Sequence, residues 1–404
     1  MKKSKNINIS YIFTVYVVLL PVLGVIKSPI KGIDLGTCLC LLLSIFILKE
    51  NKFRISKNLS VILLLAYIIV GTMFSFMLQG TINTMGILRA TKLIVLVILI
   101  LLVGYNRLFD YSFALKVLKL ISISAVVFIV IQYSVYYMCG IVVTGGLEKI
   151  AVTDTYLLRD YEKLARTFYR PSSFFLEPAH FAQYLLLYLC YSIFGFDNSD
   201  KVFYNWKMTL LLIAGIVLST SGLGIGLACL MVGIRFFQII TRRFSITTLK
   251  KLLVLSVALL FLSALLLQTD LVINTLNRVF TSNISGGGNA VSARTIGYQY
   301  YLDLPFIYKF IGMGYGNVPS GVYFNSLAYI LYCCGFIGII FLTAFFYVTY
   351  HNARGFQRKF LIIYFVLLFV ADIFTPHWIC FYFPFVLSKY QPQNINYDYL
   401  FEQS

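Results

Sequence analysis

The stretch Leu59-Ser60-Val61-Ile62-Leu63-Leu64-Leu65-Ala66-Tyr67-Ile68-Ile69-Val70-Gly71-Thr72-Met73-Phe74-Ser75-Phe76-Met77-Leu78 holds no charged residue. About 20 residues of helix cross the hydrocarbon core of a bilayer, so this run has the length and composition of a membrane span. It is flanked by Lys49, Lys52, Arg54 and Lys57 on one side. Outward from it the pattern recurs. Further apolar runs are Tyr11–Ile26, Ile33–Leu48, Gly86–Gly104, Leu120–Met138, Phe174–Phe196, Met208–Ser219 and Leu223–Ile240. Leu252–Leu267, Val322–Tyr347, Phe360–Ile373 and Trp378–Leu387 complete the set. With the shorter runs in mind the range is ten to twelve spans, and twelve is the expected number.

Composition agrees. Of 404 residues, 60% are hydrophobic and 12% are charged. A soluble core cannot hide that much apolar surface, whereas lipid accepts it. The expected fold is therefore an all-α polytopic membrane protein, one integral membrane domain over residues 1–404. The net charge of +18 does not point to nucleic acid. Its Lys and Arg sit in short clusters between apolar runs, as the positive-inside rule predicts. Those clusters are Lys2, Lys3 and Lys5; Lys49 to Lys57; Arg107, Lys116 and Lys119; Arg235, Arg242, Arg243, Lys250 and Lys251; and Arg354, Arg358 and Lys359. If the spans alternate, all fall on one face, and both termini are then cytoplasmic. The basic N-terminus has a signal-peptide flavour, but Pro21-Val22-Leu23-Gly24 offers no clear cleavage site, so it is read as span one. The eight cysteines lie almost entirely in apolar runs and read as small packing residues.

The same alternation places two long intervals outside, about 139–173 and about 268–321. Long outer loops usually carry function. The first leads into Tyr169-Arg170-Pro171-Ser172-Ser173-Phe174-Phe175-Leu176-Glu177-Pro178-Ala179-His180-Phe181-Ala182. Glu177 lies where this loop re-enters the apolar zone, a costly position for a carboxylate and a functional one by default. It reads as a general base or a hydrogen-bond acceptor for a sugar hydroxyl. The competing reading is an N-cap residue, with Pro178 at the first helical position. His180 shares its helix face and could orient it or accept a proton, unless it is an ordinary interfacial histidine.

Arg159, Arg166, Arg170, Arg278 and Arg294 fall outside, where the charge rule disfavours them, and Arg89 and Lys92 add positive charge near the outer end of span four. A planar guanidinium suits phosphate, so the set points to a lipid-linked phosphate or pyrophosphate, against the alternative of pairing with Asp154, Asp160 and Glu162. Gly312-Met313-Gly314-Tyr315-Gly316-Asn317 is no dinucleotide loop, since it lacks a strand–helix setting; it reads as a tight turn passing close beneath a substrate. His377, beside Pro376 and Trp378, reads as an interface anchor.

Arg170-Pro171-x-Ser173-x-Phe175-x-Glu177-Pro178-x-x-Phe181-Ala182, followed by Arg294, Gly312, Gly314 and Gly316, resembles the O-antigen and capsular polysaccharide polymerases of the Wzy type. Asn325-Ser326 and Gly335-Phe336-Ile337-Gly338 match the family's next span. These stretches cover about a fifth of the chain. Phe324 stands where the related ligase branch has a functional His, which favours polymerase over ligase. The usual spacing from arginine to glycine in the outer loops is not reproduced here. The resemblance implies a glycosyltransferase of the bacterial cytoplasmic membrane, with a fold like the C-type glycosyltransferases. It implies an undecaprenyl-pyrophosphate-linked oligosaccharide as donor and acceptor, with a flippase and a chain-length regulator as neighbours. Glu177 or His180 would assist the attacking hydroxyl. Arg170 and Arg294, with Arg166, Arg278 and Arg89, would hold the pyrophosphate, and no metal or cofactor is expected. A lipid-linked oligosaccharide flippase or other transporter is the reading from another class.

Overall fold

The computed structural model describes residues 3–30, 33–51, 59–81, 83–143, 169–196, 203–242 and 290–388. Among these the regular secondary structure is all helical, apart from a single antiparallel bridge between Lys27 and Asp34. The helices are α1 (Lys3–Leu23), α2 (Leu35–Asn51), α3 (Leu59–Gln79), α4 (Thr84–Val97), α5 (Tyr105–Leu108) and α6 (Tyr111–Cys139). After the first long interval come α7 (Pro178–Phe194), α8 (Trp206–Leu218) and α9 (Gly222–Arg242). The last are α10 (Ala290–Leu302), α11 (Phe306–Ile311), α12 (Ser326–Asn352), α13 (Phe356–Val370) and α14 (Pro376–Leu387). Five helical stretches are long and apolar enough to cross a membrane: Leu59–Gln79, Thr84–Leu108, Tyr111–Cys139, Gly222–Thr241 and Ser326–Asn352. Ile9–Leu23, Leu35–Lys49, Trp206–Leu218 and Pro376–Leu387 are shorter apolar helices. This is the build of a membrane-embedded helical protein.

Several boundaries differ from the expected ones for local reasons. The sixth helix begins at Tyr111 rather than Leu120, because the Asp110 carboxylate caps it by accepting the Phe113 amide at 3.0 Å. Lys116 and Lys119 then ride on its exposed face and keep their charges out of the core. The run expected as one regular span at 86–104 is α4 and α5 joined by a π-helical turn, Ile98–Gly104. There Gly104 lies so close to α1 that a Cβ would fall 2.6 Å from the Phe13 ring. Conversely, the helix expected from Phe174 starts only at Pro178. The expected ninth span, 252–267, lies outside the described residues.

Two helices form the centre. Along α7 and α14 nearly every side chain is buried, as befits helices that are apolar all round. Tyr184 of α7 stacks on Phe381 of α14, ring centroids 4.9 Å apart, and the Tyr382 hydroxyl donates to the Gln183 carbonyl at 2.8 Å. The first helix wraps the pair, with Val17, Val18 and Leu20 fully buried and the Val18 carbonyl accepting from Tyr184 Oη. Both central helices open with proline at their first position, which fixes where each begins. Their N-terminal ends carry Glu177 and His180, and His377 and Trp378, and these ends lie together: the His180 and Trp378 rings are 6.0 Å apart.

The connections sort into two ends. One end gathers 24–34, 83–89, 132–143, 169–177, 218–221, 294–326 and 371–377, joined by the contacts described below. The other joins Leu108 to Ser10 and Thr14, Gly195 to Phe356, and Gln357 to Phe385 and Ser388. Arg107, Lys207, Arg354 and Arg358 sit at this second end. Asp110 and His351 share this second end with them, while the buried pair of Asp34 and Lys92 lies at the first.

Candidate functional site

The polar end holds three linked constellations. The first surrounds Tyr323, in the connection before α12. Tyr323 is 42% exposed, and its hydroxyl is held above the usual phenol range by partial burial; the Asp372 carboxylate acts the same way, the Arg294 guanidinium opposes it, and Glu177 adds a further upward push. Thus the charges of Glu177, Arg294 and Asp372, from three separate elements, all act on one phenol.

Ser326 and Asn325 make that meeting possible. The Asn325 side chain caps α12 by accepting the Ala328 amide at 2.8 Å, and its Nδ2 donates to the Arg294 carbonyl at 2.9 Å. This ties α10 to the start of α12. Ser326 Oγ donates to the Ala371 carbonyl and accepts the Ile373 and Phe374 amides at 2.7 and 2.8 Å. Those bonds hold the backbone on both sides of Asp372. Burial pushes the Asp372 carboxyl up to about 7, and the positive charge of Arg89 works against that push. A carboxyl tuned near neutral pH is suited to proton transfer.

Glu177 is the residue before α7, yet its side chain makes no capping hydrogen bond. Among the described residues its half-buried carboxylate has no hydrogen-bond partner and no ion pair. The N-cap reading therefore accounts for its backbone and leaves its side chain unexplained. His180 lies one turn on, half-buried and facing Trp378.

The second constellation is Asp34, 3% exposed, in the connection between α1 and α2. Its carboxylate accepts the Thr37 amide at 2.8 Å and the Thr37 hydroxyl at 2.9 Å, and lies 2.9 Å from His377 Nε2 and 2.5 Å from Lys92 Nζ. Burial alone pushes this carboxyl up, but His377 and the Lys92 ammonium more than offset it and hold it below the usual range. His377 is therefore a buried hydrogen-bond partner of Asp34 rather than the interface anchor its Pro-Trp setting suggests. It packs so tightly on Gly24 that a Cβ there would meet the imidazole at 2.3 Å.

The third constellation braces the loop ahead of Glu177. Two donors of Arg170 are spent on Thr220: Nε to Oγ1 at 3.0 Å and Nη2 to the carbonyl at 3.3 Å. Gln132 of α6 accepts the Ser173 amide at 2.9 Å and donates to the Ser173 carbonyl at 3.2 Å. Ser173 (φ 57°) and Thr220 (φ 51°) are the two non-glycine residues with left-handed backbone among the described residues. Such conformations cost about 1–3 kcal/mol each and cluster at functional sites. Arg170 thus acts first as a clamp on a strained turn.

The glycine loop is a plug. Gly312 and Gly316 have φ of 82° and 81°, and a Cβ on either would strike backbone or the base of Arg89. Helix α12 breaks at Gly335, and the carbonyls that the break frees are taken up. Tyr332 and Cys333 accept the Met313 and Gly314 amides at 2.9 Å, and Cys334 accepts Tyr67 Oη at 2.5 Å. Thr72 Oγ1 takes the Tyr315 amide at 3.0 Å. With these amides committed to protein acceptors, the loop is a close-packed turn, as expected, and not a phosphate cradle. Its exit carbonyl, Gly316 O, accepts Arg89 Nη1 at 3.0 Å and aims that arginine along the polar end.

No protein-family model matches this sequence, and no curated protein sequence matches it. The polar end brings together Glu177, His180, Arg170, Arg294, Arg89 and Asn325 of the expected set. Arg166 and Arg278 lie outside the described residues. Asp34, Asp372 and Tyr323 were not singled out from the sequence. A lone acid in a short connection between apolar runs was the signal available for Asp34 and Asp372.

Proposed function

We propose that this chain is a polysaccharide polymerase joining undecaprenyl-pyrophosphate-linked oligosaccharide repeats on the outer face of a bacterial cytoplasmic membrane. In this reading about twelve spans form a fold like the C-type glycosyltransferases, with both termini cytoplasmic and the polar end outward. The observation that carries it is Glu177, without a hydrogen-bond partner among the described residues, at the start of a buried helix and at the same end as Arg294, whose backbone is tied to Asn325, and Arg89, held by the Gly316 carbonyl. The acceptor's sugar hydroxyl attacks the anomeric carbon of the donor repeat. The bond from that carbon to the pyrophosphate oxygen breaks, and undecaprenyl pyrophosphate leaves with the electron pair. Glu177, free of local hydrogen bonds, takes the hydroxyl proton, with His180 beside it. Arg294 and Arg89 stabilise charge growing on the leaving group, helped by the positive N-terminal ends of α7, α12 and α14.

The break in α12 at Gly335 favours a second reading, a transporter, because broken helices mark many transporter sites. Here the break is filled by the glycine loop, whose amides use the freed carbonyls. The polymerase reading is therefore preferred. The test is the glycan ladder of a deletion strain. Polymerase predicts single capped repeats in the deletion and a ladder on complementation. Lipid-linked repeats trapped on the cytoplasmic face would instead identify a flippase.

A further inference from the structure

Three half-buried carboxamides meet at the polar end, and the proposed mechanism uses none of them. Asn317 follows the glycine loop, Gln79 ends α3, and Asn83 stands just before α4. Asn317 Nδ2 donates to Gln79 Oε1 and to the Met313 carbonyl, both at 3.0 Å. Its Oδ1 accepts from Asn83 Nδ2 at 2.7 Å. Gln79 Nε2 donates to the same Met313 carbonyl at 3.0 Å, and Asn83 Oδ1 caps α4 by accepting the Gly86 amide at 3.2 Å. The Asn317 side chain thus joins the end of α3, the start of α4 and the glycine loop. The loop and α4 also touch directly. A Cβ on Gly316 would lie 2.8 Å from Arg89 Cβ and 2.9 Å from the Gly86 carbonyl oxygen, so only glycine lets the two come this close. Arg89 leaves α4 at this contact. Its Nη1 donates to the Gly316 carbonyl, next in the chain to Asn317. Its other donors have no partner among the described residues, and the side chain is exposed.

We infer that Asn317 is a positioning residue for Arg89, setting the direction of its guanidinium toward the pyrophosphate of a lipid-linked donor, an inference that rests on the polymerase reading. An exposed arginine side chain has several rotatable bonds and samples many directions unless something holds it. Here one donor is anchored on a carbonyl, and the side chain of the following residue fixes that carbonyl's place in the fold. The brace is made of neutral amides, so it holds the loop without adding a counter-charge to the arginine. The rest of the guanidinium stays open to an anion. Its charge also reaches into the site, where it acts on the Asp372 carboxyl. Donors held in place before charge develops are the ones that stabilise a transition state, so the brace acts on the rate of the chemical step. A packing role alone would tie α3 to α4 with no consequence for Arg89.

The test is a double-mutant cycle on the full chain in lipid nanodiscs supplied with the proposed lipid-linked repeat, comparing wild type, Asn317→Ala, Arg89→Ala and the double variant. Removing one donor to a developing charge costs about a hundredfold or more, the loss expected of Arg89→Ala. Asn317→Ala should lower kcat about tenfold when Arg89 is present and less than about twofold when Arg89 is alanine, because a brace that acts only through Arg89 has nothing left to aim. A second variant, Asn83→Asp, keeps the acceptor that caps α4 and removes only the donor to Asn317. It should give a smaller loss that likewise disappears with Arg89→Ala, and it decides the matter alone if Asn317→Ala does not fold. The same fractional loss in both backgrounds would assign the amides to packing and overturn the positioning role, as would a wild-type rate from both amide variants. A wild-type rate from Arg89→Ala would also overturn it and leave the polymerase reading standing. If stable wild type forms no polymer, the polymerase reading fails and the positioning role with it.

Discussion

His377 Nε2 lies 2.9 Å from Asp34 Oδ1, a contact between residues 343 apart in sequence that closes the polar end of the bundle. Lys92 joins the same carboxylate from α4, so three elements are tied through one buried acid. Removing one member of a buried ionic cluster strands the others without their counter-charge, at a cost of about 3–5 kcal/mol.

Asp34→Ala is therefore expected to lower the unfolding midpoint of the purified protein by several degrees. Lys92→Met combined with Asp34→Ala should lose less than the two single losses together, because neither charge is left stranded. Thermal unfolding in detergent checks both. An unchanged midpoint in Asp34→Ala would show that the network does not hold the fold.

Asp372 makes a pH prediction whose sign is opposite to that of an ordinary paired acid. Its carboxyl is raised to about 7 by burial, whereas in the unfolded chain it titrates near about 4. Between those values the folded state holds more protons than the unfolded one. Stability should accordingly fall as pH rises from about 4 to about 7 and level off above, and Asp372→Asn should remove that slope. Arg89→Gln deletes the positive charge that opposes the rise, so it should move the upper end of the window higher. Midpoints measured from pH 5 to 8 for the three proteins decide this; a wild-type slope that persists in Asp372→Asn would assign it to another group.

The two arginines that match the polymerase motif should behave differently. Arg170 is engaged by Thr220 through two donors, and a lysine cannot reproduce that fork. Arg170→Lys is expected to reduce unfolding midpoint and polymer yield together. Arg294 is tied to Asn325 through its backbone carbonyl, which substitution leaves in place. Arg294→Lys should lower polymer yield tenfold or more with a near-wild-type midpoint. Matched losses of stability in both variants would contradict the assignment of Arg294 to the substrate.

Much of this fold is legible in the chain because lipid imposes one simple rule: apolar runs must be long, and charge must sit between them. Leu59–Gln79 follows that rule, and so do the basic connections around Arg107 and Arg354. Helix starts are less legible, since an Asp110 cap extends α6 through two lysines that hydropathy alone would exclude. Of the site, Glu177 and its neighbours stand out because acid, proline and histidine meet at the edge of an apolar run. Asp34 and Asp372 do not, because their partners arrive from distant connections. The plugging of the α12 break is equally invisible, since the Met313 and Gly314 amides reach the Tyr332 and Cys333 carbonyls through backbone bonds that no side-chain pattern encodes.

The most direct test of the central claim is polymerisation by the purified chain in lipid nanodiscs, supplied with the proposed lipid-linked repeat, comparing wild type, Glu177→Gln and Glu177→Asp. In the proposed mechanism the carboxylate is the proton acceptor, so Glu177→Gln should lose a hundredfold or more of the rate, in line with the usual contribution of a general base. Glu177→Asp should retain a measurable part, with all three proteins equally stable. Polymer formed by Glu177→Gln at the wild-type rate would contradict the assignment of the carboxylate, and no polymer from stable wild type would contradict the polymerase itself.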